Sequence, residues 1–144
     1  MASNCYAVNC EKSSNSKEWF DSCIDCKRPK DNIEWKYCEG KATENSEIEL
    51  VSVCKKIYPY LNNEGLTQLK ESQENWLKYR NSHCGFRNLI NAGGSGLVGF
   101  IKRCETELTK ERINDLERLM PFDLTISGSE GVGNPPSNFN CFMP

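Results

Sequence analysis

Between residues 46 and 120 apolar side chains recur at three- and four-residue steps, the period of a helix with one face turned to a core. The first such run, 46–58, opens on Ser46 as an N-cap, with Glu47 and Glu49 in the first turn where the helix dipole favours acids. Ile48, Leu50, Val51, Val53, Cys54 and Ile57 cover more than one face, which predicts a central, well-buried helix. Pro59 and the cluster Asn62, Asn63, Glu64, Gly65 end it. A second helix is expected over 66–83, with Leu66, Leu69, Gln73, Trp76, Arg80 and His83 on one stripe that Leu77 broadens. A third is expected over 97–120, with Leu97, Ile101, Cys104, Leu108, Arg112, Leu116 and Leu119 on its stripe. Thr109 is placed to cap a separate final helix there.

Gln73, Arg80 and Arg112 are polar members of these apolar seams. A polar group in such a place finds hydrogen-bond partners or costs about 1–3 kcal/mol. The first reading of each is therefore a bridge between helices, and the second is presentation to a partner.

The flanks read differently. Residues 1–34 are polar, with a Ser/Asn loop at 13–16, one or two helical turns at 17–21 and a break at Pro29. Residues 91–96, Asn-Ala-Gly-Gly-Ser-Gly, form a loop. It is no phosphate cradle, because neither Gly-Lys-Ser/Thr nor a preceding strand accompanies it. Pro121 ends the last helix, and the tail to Pro144 is rich in Gly, Ser, Asn and Pro, with room for a short strand at 122–126. No internal repeat is present. The fold expected is all-α: a compact antiparallel helical bundle stapled by disulfides, with irregular N- and C-terminal extensions.

Composition bounds the function. A chain of 144 residues suits one domain. A net charge of −2, with both signs well mixed, argues against nucleic acid and anionic membranes as partners. No apolar run is long enough to span a bilayer. Nine cysteines change the picture most, because thiols so numerous belong in an oxidising compartment. They lie at Cys5, Cys10, Cys23, Cys26, Cys38, Cys54, Cys84, Cys104 and Cys141, and they read as a disulfide framework. The chain opens on polar sequence with no export signal, so it is expected to be a mature form carrying an added start Met.

Other chemistry is weaker. Cys5, Cys10, Cys23 and Cys26 have spacing that also suits a four-thiolate zinc site, but export disfavours free thiolates. Cys23 and Cys26 have redox spacing without the βαβ pattern that goes with it. His83 is the only histidine and sits at a helix end, where it is expected to meet terminal carbonyls. The pairs Glu71/Glu74 and Glu105/Glu107 read as solvated faces. Nothing assembles a nucleophile, a base and an oxyanion site, so no enzyme, metal or cofactor is expected.

The stretch 69–84, with Leu69, Gln73, Trp76, the Tyr79–Arg80 pair and Cys84, resembles the signature of the LprI-type lysozyme-inhibitor family. The continuation fits as well: a Gly-rich loop, Cys104, Thr109, Arg112 and Leu116, with Tyr37–Cys38 and Cys54 upstream. The resemblance covers roughly residues 36–120. It implies an exported bacterial helical domain with disulfides Cys38–Cys54 and Cys84–Cys104. It divides the chain into a Cys-rich extension (1–35), a helical domain (36–121) and a Gly/Pro-rich tail packed on it (122–144). Cys5, Cys10, Cys23, Cys26 and Cys141 then remain for further bridges. Their odd number calls for a lipid on Cys5, an intermolecular disulfide or an unpaired thiol.

The function expected is binding of a peptidoglycan hydrolase, a lysozyme or a secreted toxin, by a monomer or dimer in the periplasm or on the cell surface. The alternative is a non-catalytic envelope module that binds another envelope protein. Gln73, Trp76, Arg80 and Arg112 are the family-motif residues. Two loops are candidates for the contact: 91–96, with Asn91, Gly94 and Ser95, and 127–140, with Ser127, Glu130 and Asn134. Loops whose ends a scaffold fixes commonly carry function.

Overall fold

The computed structural model describes residues 10, 17–120 and 133–141. It contains four helices, α1 Lys17–Cys23, α2 Asn32–Ile57, α3 Asn63–Arg87 and α4 Leu97–Arg118. A 3-10 turn follows α2 at Tyr58–Tyr60 and another follows α3 at Leu89–Asn91. The expected all-α, disulfide-stapled architecture is what these residues form. The strand expected at 122–126 lies outside the described residues.

The first long helix starts fourteen positions earlier than Ser46, at Asn32. Asp31 caps it, its side chain accepting from the Ile33 and Glu34 amides at 2.8 Å each. Ser46 is no cap. It is 2 % exposed in mid-helix, and its hydroxyl donates to the Thr43 carbonyl. Asn62 caps α3 by accepting from the Gly65 amide, so the Asn-Asn-Glu-Gly cluster starts a helix as well as ending one.

α2 and α4 make the closest helix pair. In its second half, Leu50, Val53, Cys54 and Ile57 meet Leu69 of α3 and Ile113 and Leu116 of α4. That apolar cluster is the core. Toward the other end the seam is built from hydroxyls. Thr43 and Thr106 share a hydrogen bond at 3.0 Å, and Thr43 also donates to the Lys102 carbonyl at 2.9 Å. Small side chains that satisfy each other let two helices approach without an apolar stripe.

α4 runs unbroken through Thr109, whose hydroxyl donates to the Glu105 carbonyl instead of capping a new helix. Its buried face is Cys104, Glu105, Thr106, Thr109, Ile113 and Leu116. That face is rotated from the predicted stripe, which leaves Leu119 exposed and Arg112 at the edge.

Four disulfides join Cys10–Cys23, Cys26–Cys38, Cys54–Cys141 and Cys84–Cys104. Cys84–Cys104 is the pair the resemblance implied. Cys38–Cys54 is not formed, for a simple reason. Both residues lie on α2, sixteen positions apart, which is roughly 24 Å of helix. A disulfide needs Cα atoms within about 7 Å. The zinc alternative is displaced too, since Cys23 and Cys26 are each bridged elsewhere. Cys5 lies outside the described residues. α1 is further held to α2 by a hydrogen bond from Tyr37 to Asp21 and by Phe20 against the Tyr37 ring, centroids 5.3 Å apart.

At Gly99 the Trp35 ring of α2 lies directly against α4. A Cβ there would stand 2.4 Å from the Trp35 ring. Gly99→Val is therefore expected to destabilise by about 1–3 kcal/mol through overpacking. Gly40 of α2 has nothing within 4 Å of the corresponding position, and Gly40→Ala should gain up to about 1 kcal/mol of helix propensity. Urea unfolding of the two variants checks the opposite signs.

Candidate partner-binding site

The end of the bundle formed by the close of α3, the start of α4 and the first turn of α2 is unusually apolar on its outside. Phe86 is 73 % exposed and Ile90 92 %, and Leu89, Val98 and Ile33 are each more than half exposed. From Asn88 to Ile101 the sequence has no charged residue, although 26 % of the chain is charged. Scattered exposed apolar side chains are ordinary, but five of them at one end of the bundle, beside a long stretch without charge, make this end the candidate surface.

The surface is held, not loose. The Cys84–Cys104 bridge closes its base. Asn88, buried, donates to the Cys84 carbonyl at 2.8 Å and accepts from Asn91 at 3.3 Å. Gly93 takes a φ of +81°, a conformation that favours glycine, and the Gly94 amide returns to the Asn91 carbonyl. Asn32 at the start of α2 donates to the Ser95 hydroxyl at 3.0 Å. Trp35 packs on Phe100, ring centroids 4.9 Å apart, and the Arg103 guanidinium lies over Trp35. The Glu39 carboxylate, bonded to Arg103, raises that guanidinium's pKa. Ile90 thus projects from a tip whose two ends and one flank are fixed.

Of the predicted loop residues, Asn91, Gly94 and Ser95 belong to this tip. Ser127 and Glu130 lie outside the described residues. Asn134 is exposed, but the tail it belongs to is pinned in the other half of the molecule. There Phe139 packs on Tyr58 and Cys141 is bonded to Cys54. The two candidate loops are therefore anchored in different halves of the bundle. A groove of about 570 Å³ beside α2 carries both signs of charge on its rim, and its Glu47 is already engaged with Arg80.

The motif residues point inward. Gln73 is 2 % exposed and Arg80 5 %. Arg80 donates to Glu47 at 2.9 Å and to Thr109 at 3.0 Å, tying α3 to α2 and α4, and lies over the Trp76 ring at 5.3 Å. Arg112 donates to Gln73 at 2.6 Å and to Ser72 at 2.7 Å. His83 is half-buried and stacks on Tyr79, ring centroids 5.3 Å apart. Sequence reasoning missed Phe86, Leu89, Ile90 and Val98. The signal that would have found them is the long gap in charge around the glycine-rich loop.

No curated protein and no solved structure matches the chain. A protein-family model, described as lysozyme inhibitor LprI, matches residues 23–116. That span includes the helical body, the motif residues and the apolar tip, and on it the chain belongs to the LprI lysozyme inhibitor family.

Proposed function

We propose that this protein is an exported, non-catalytic inhibitor of a peptidoglycan hydrolase, a lysozyme or a secreted toxin, and that the tip from Phe86 to Val98 enters the partner's cleft. The family match supports a protein partner such as lysozyme. The disulfide framework suits an oxidising compartment. The observation that carries the choice of surface is the anchored loop, free of charge from Asn88 to Val98, on which Ile90 is 92 % exposed. A pre-ordered protrusion loses little entropy on binding, and apolar anchors at the centre of an interface carry most of its energy.

The test is inhibition and binding against a panel of muramidases and amidases. The protein is expected to inhibit at least one. Phe86→Ser with Ile90→Asp should weaken binding by about thirtyfold or more, the effect of losing a hot spot of roughly 2 kcal/mol. Thermal stability should hold, because both side chains are exposed. Binding to no hydrolase would transfer the reading to an envelope module with another partner. Binding that survives the double variant would move the contact off the tip.

A further inference from the structure

Arg80 and Arg112 both sit on helix seams, yet among the described residues only Arg80 has a carboxylate within ion-pair distance. Arg112 is held by two neutral acceptors, its Nε on Gln73 Oε1 and its Nη2 on Ser72 Oγ. Those two bonds occupy the side edge of the guanidinium. Its end edge, Nη1 with the second Nη2 hydrogen, meets no acceptor among the described residues. Gln73 is fixed from behind, its Nε2 donating to the Sγ of Cys141 at 3.6 Å, an atom of a core disulfide.

Taking a charge half out of water without a counter-charge is unfavourable. Desolvation lowers the pKa of Arg112, and only the charge of exposed Asp115 opposes it. The two neutral acceptors orient the group without neutralising it. A planar guanidinium presenting one free edge suits a carboxylate, which it takes with two parallel hydrogen bonds.

Beside Arg112 is a cavity of about 240 Å³, walled by Ile57, Leu61, Leu69, Leu116 and Leu119. Pockets that enclose a drug-sized ligand run to about 300–1,000 Å³, so this one suits a single aliphatic side chain and not a long acyl chain. We infer that the Arg112 cavity binds the free carboxyl terminus of a peptide ending in an aliphatic residue, the carboxylate on the guanidinium and the side chain among the leucines. The site is at the start of α3, some 25 Å along that helix from the tip.

The experiment titrates the full chain with acetyl-Ala-Ala-Leu, the same tripeptide as its C-terminal amide, and decanoate, followed by calorimetry and by the methyl resonances of Leu116 and Leu119. The free acid is expected to bind and shift both residues, with the amide about tenfold weaker or more, the effect of losing charge-assisted hydrogen bonds. Arg112→Gln should weaken the acid to the level of the amide. Gly65 lines the same cavity, and a Cβ there would press on Leu61, another wall of it, at 3.2 Å, so that a larger side chain crowds the space. Gly65→Leu should therefore abolish binding with Arg112 still in place. If Arg112→Gln does not fold, the acid–amide comparison and Gly65→Leu decide the matter. Equal binding of acid and amide, no peptide binding, or a preference for decanoate would overturn the assignment. Hydrolase inhibition through the tip should be unchanged by Gly65→Leu, so the two readings stand or fall apart.

Discussion

Replacing Cys54 and Cys141 together by alanine should lower the unfolding free energy by about 4–5 kcal/mol, judged by the chain-entropy cost of the loop it opens. The bridge spans 87 positions, the longest of the four separations. Cys84–Cys104 is nested inside it and shortens that loop by about 20 residues, which changes a logarithmic cost very little. Cys54 is 0 % exposed and Cys141 7 %, both in the core beside Leu50. The double variant therefore also removes packed sulfur and leaves the Gln73 amide without its Sγ acceptor. Urea unfolding under non-reducing conditions measures the effect. A loss under about 1 kcal/mol would mean that the tail end contributes little to the native state.

The second large effect is at Arg80. Arg80→Ala should cost about 2–4 kcal/mol. Breaking a buried ion pair costs up to about 5 kcal/mol, but Glu47 keeps a partly exposed carboxylate, which lowers the figure. The variant also removes a donor to Thr109, which is 0 % exposed, and the cation lying over Trp76. Arg80→Lys keeps the charge but not the fork, so an intermediate loss is expected. The readout that separates structure from recognition is binding. If Arg80→Ala melts like the parent yet no longer inhibits, Arg80 faces the partner and not the helices.

The two prolonged apolar periods made α3 and α4 legible from the sequence, and their glycine-rich connection with them. The first half of α2 was not, and the reason is physical. Its buried positions are Cys38, Thr43 and Ser46, so helix packing there is satisfied by hydroxyl contacts to Thr106 and to a backbone carbonyl. A period search weighted toward apolar residues cannot register such a seam. The same substitution turned α4, whose buried line runs through Thr109 and Ile113 instead of Leu108 and Arg112. Cys84–Cys104 came from the family resemblance, and it forms because two antiparallel helices meet across a short loop. Cys38–Cys54 was misassigned because both residues belong to one helix that polar positions had hidden. At the tip, Asn91, Gly94 and Ser95 were visible as a loop. The exposure of Ile90 and its neighbours needed the fold, since an apolar residue in sequence reads first as core.

The order of the bonded cysteines has a consequence for how the chain matures. Cys10–Cys23 and Cys26–Cys38 join neighbours in sequence, whereas Cys54 passes over Cys84 and Cys104 to reach Cys141. Once Cys10–Cys23 and Cys26–Cys38 have closed, the next thiol after Cys54 along the chain is Cys84, not Cys141. The native connectivity then requires that Cys54 pass over Cys84 and wait for Cys141, or that a wrong bond be reshuffled by thiolate attack. Oxidative refolding of the reduced chain is therefore expected to run faster with a disulfide isomerase present than without one.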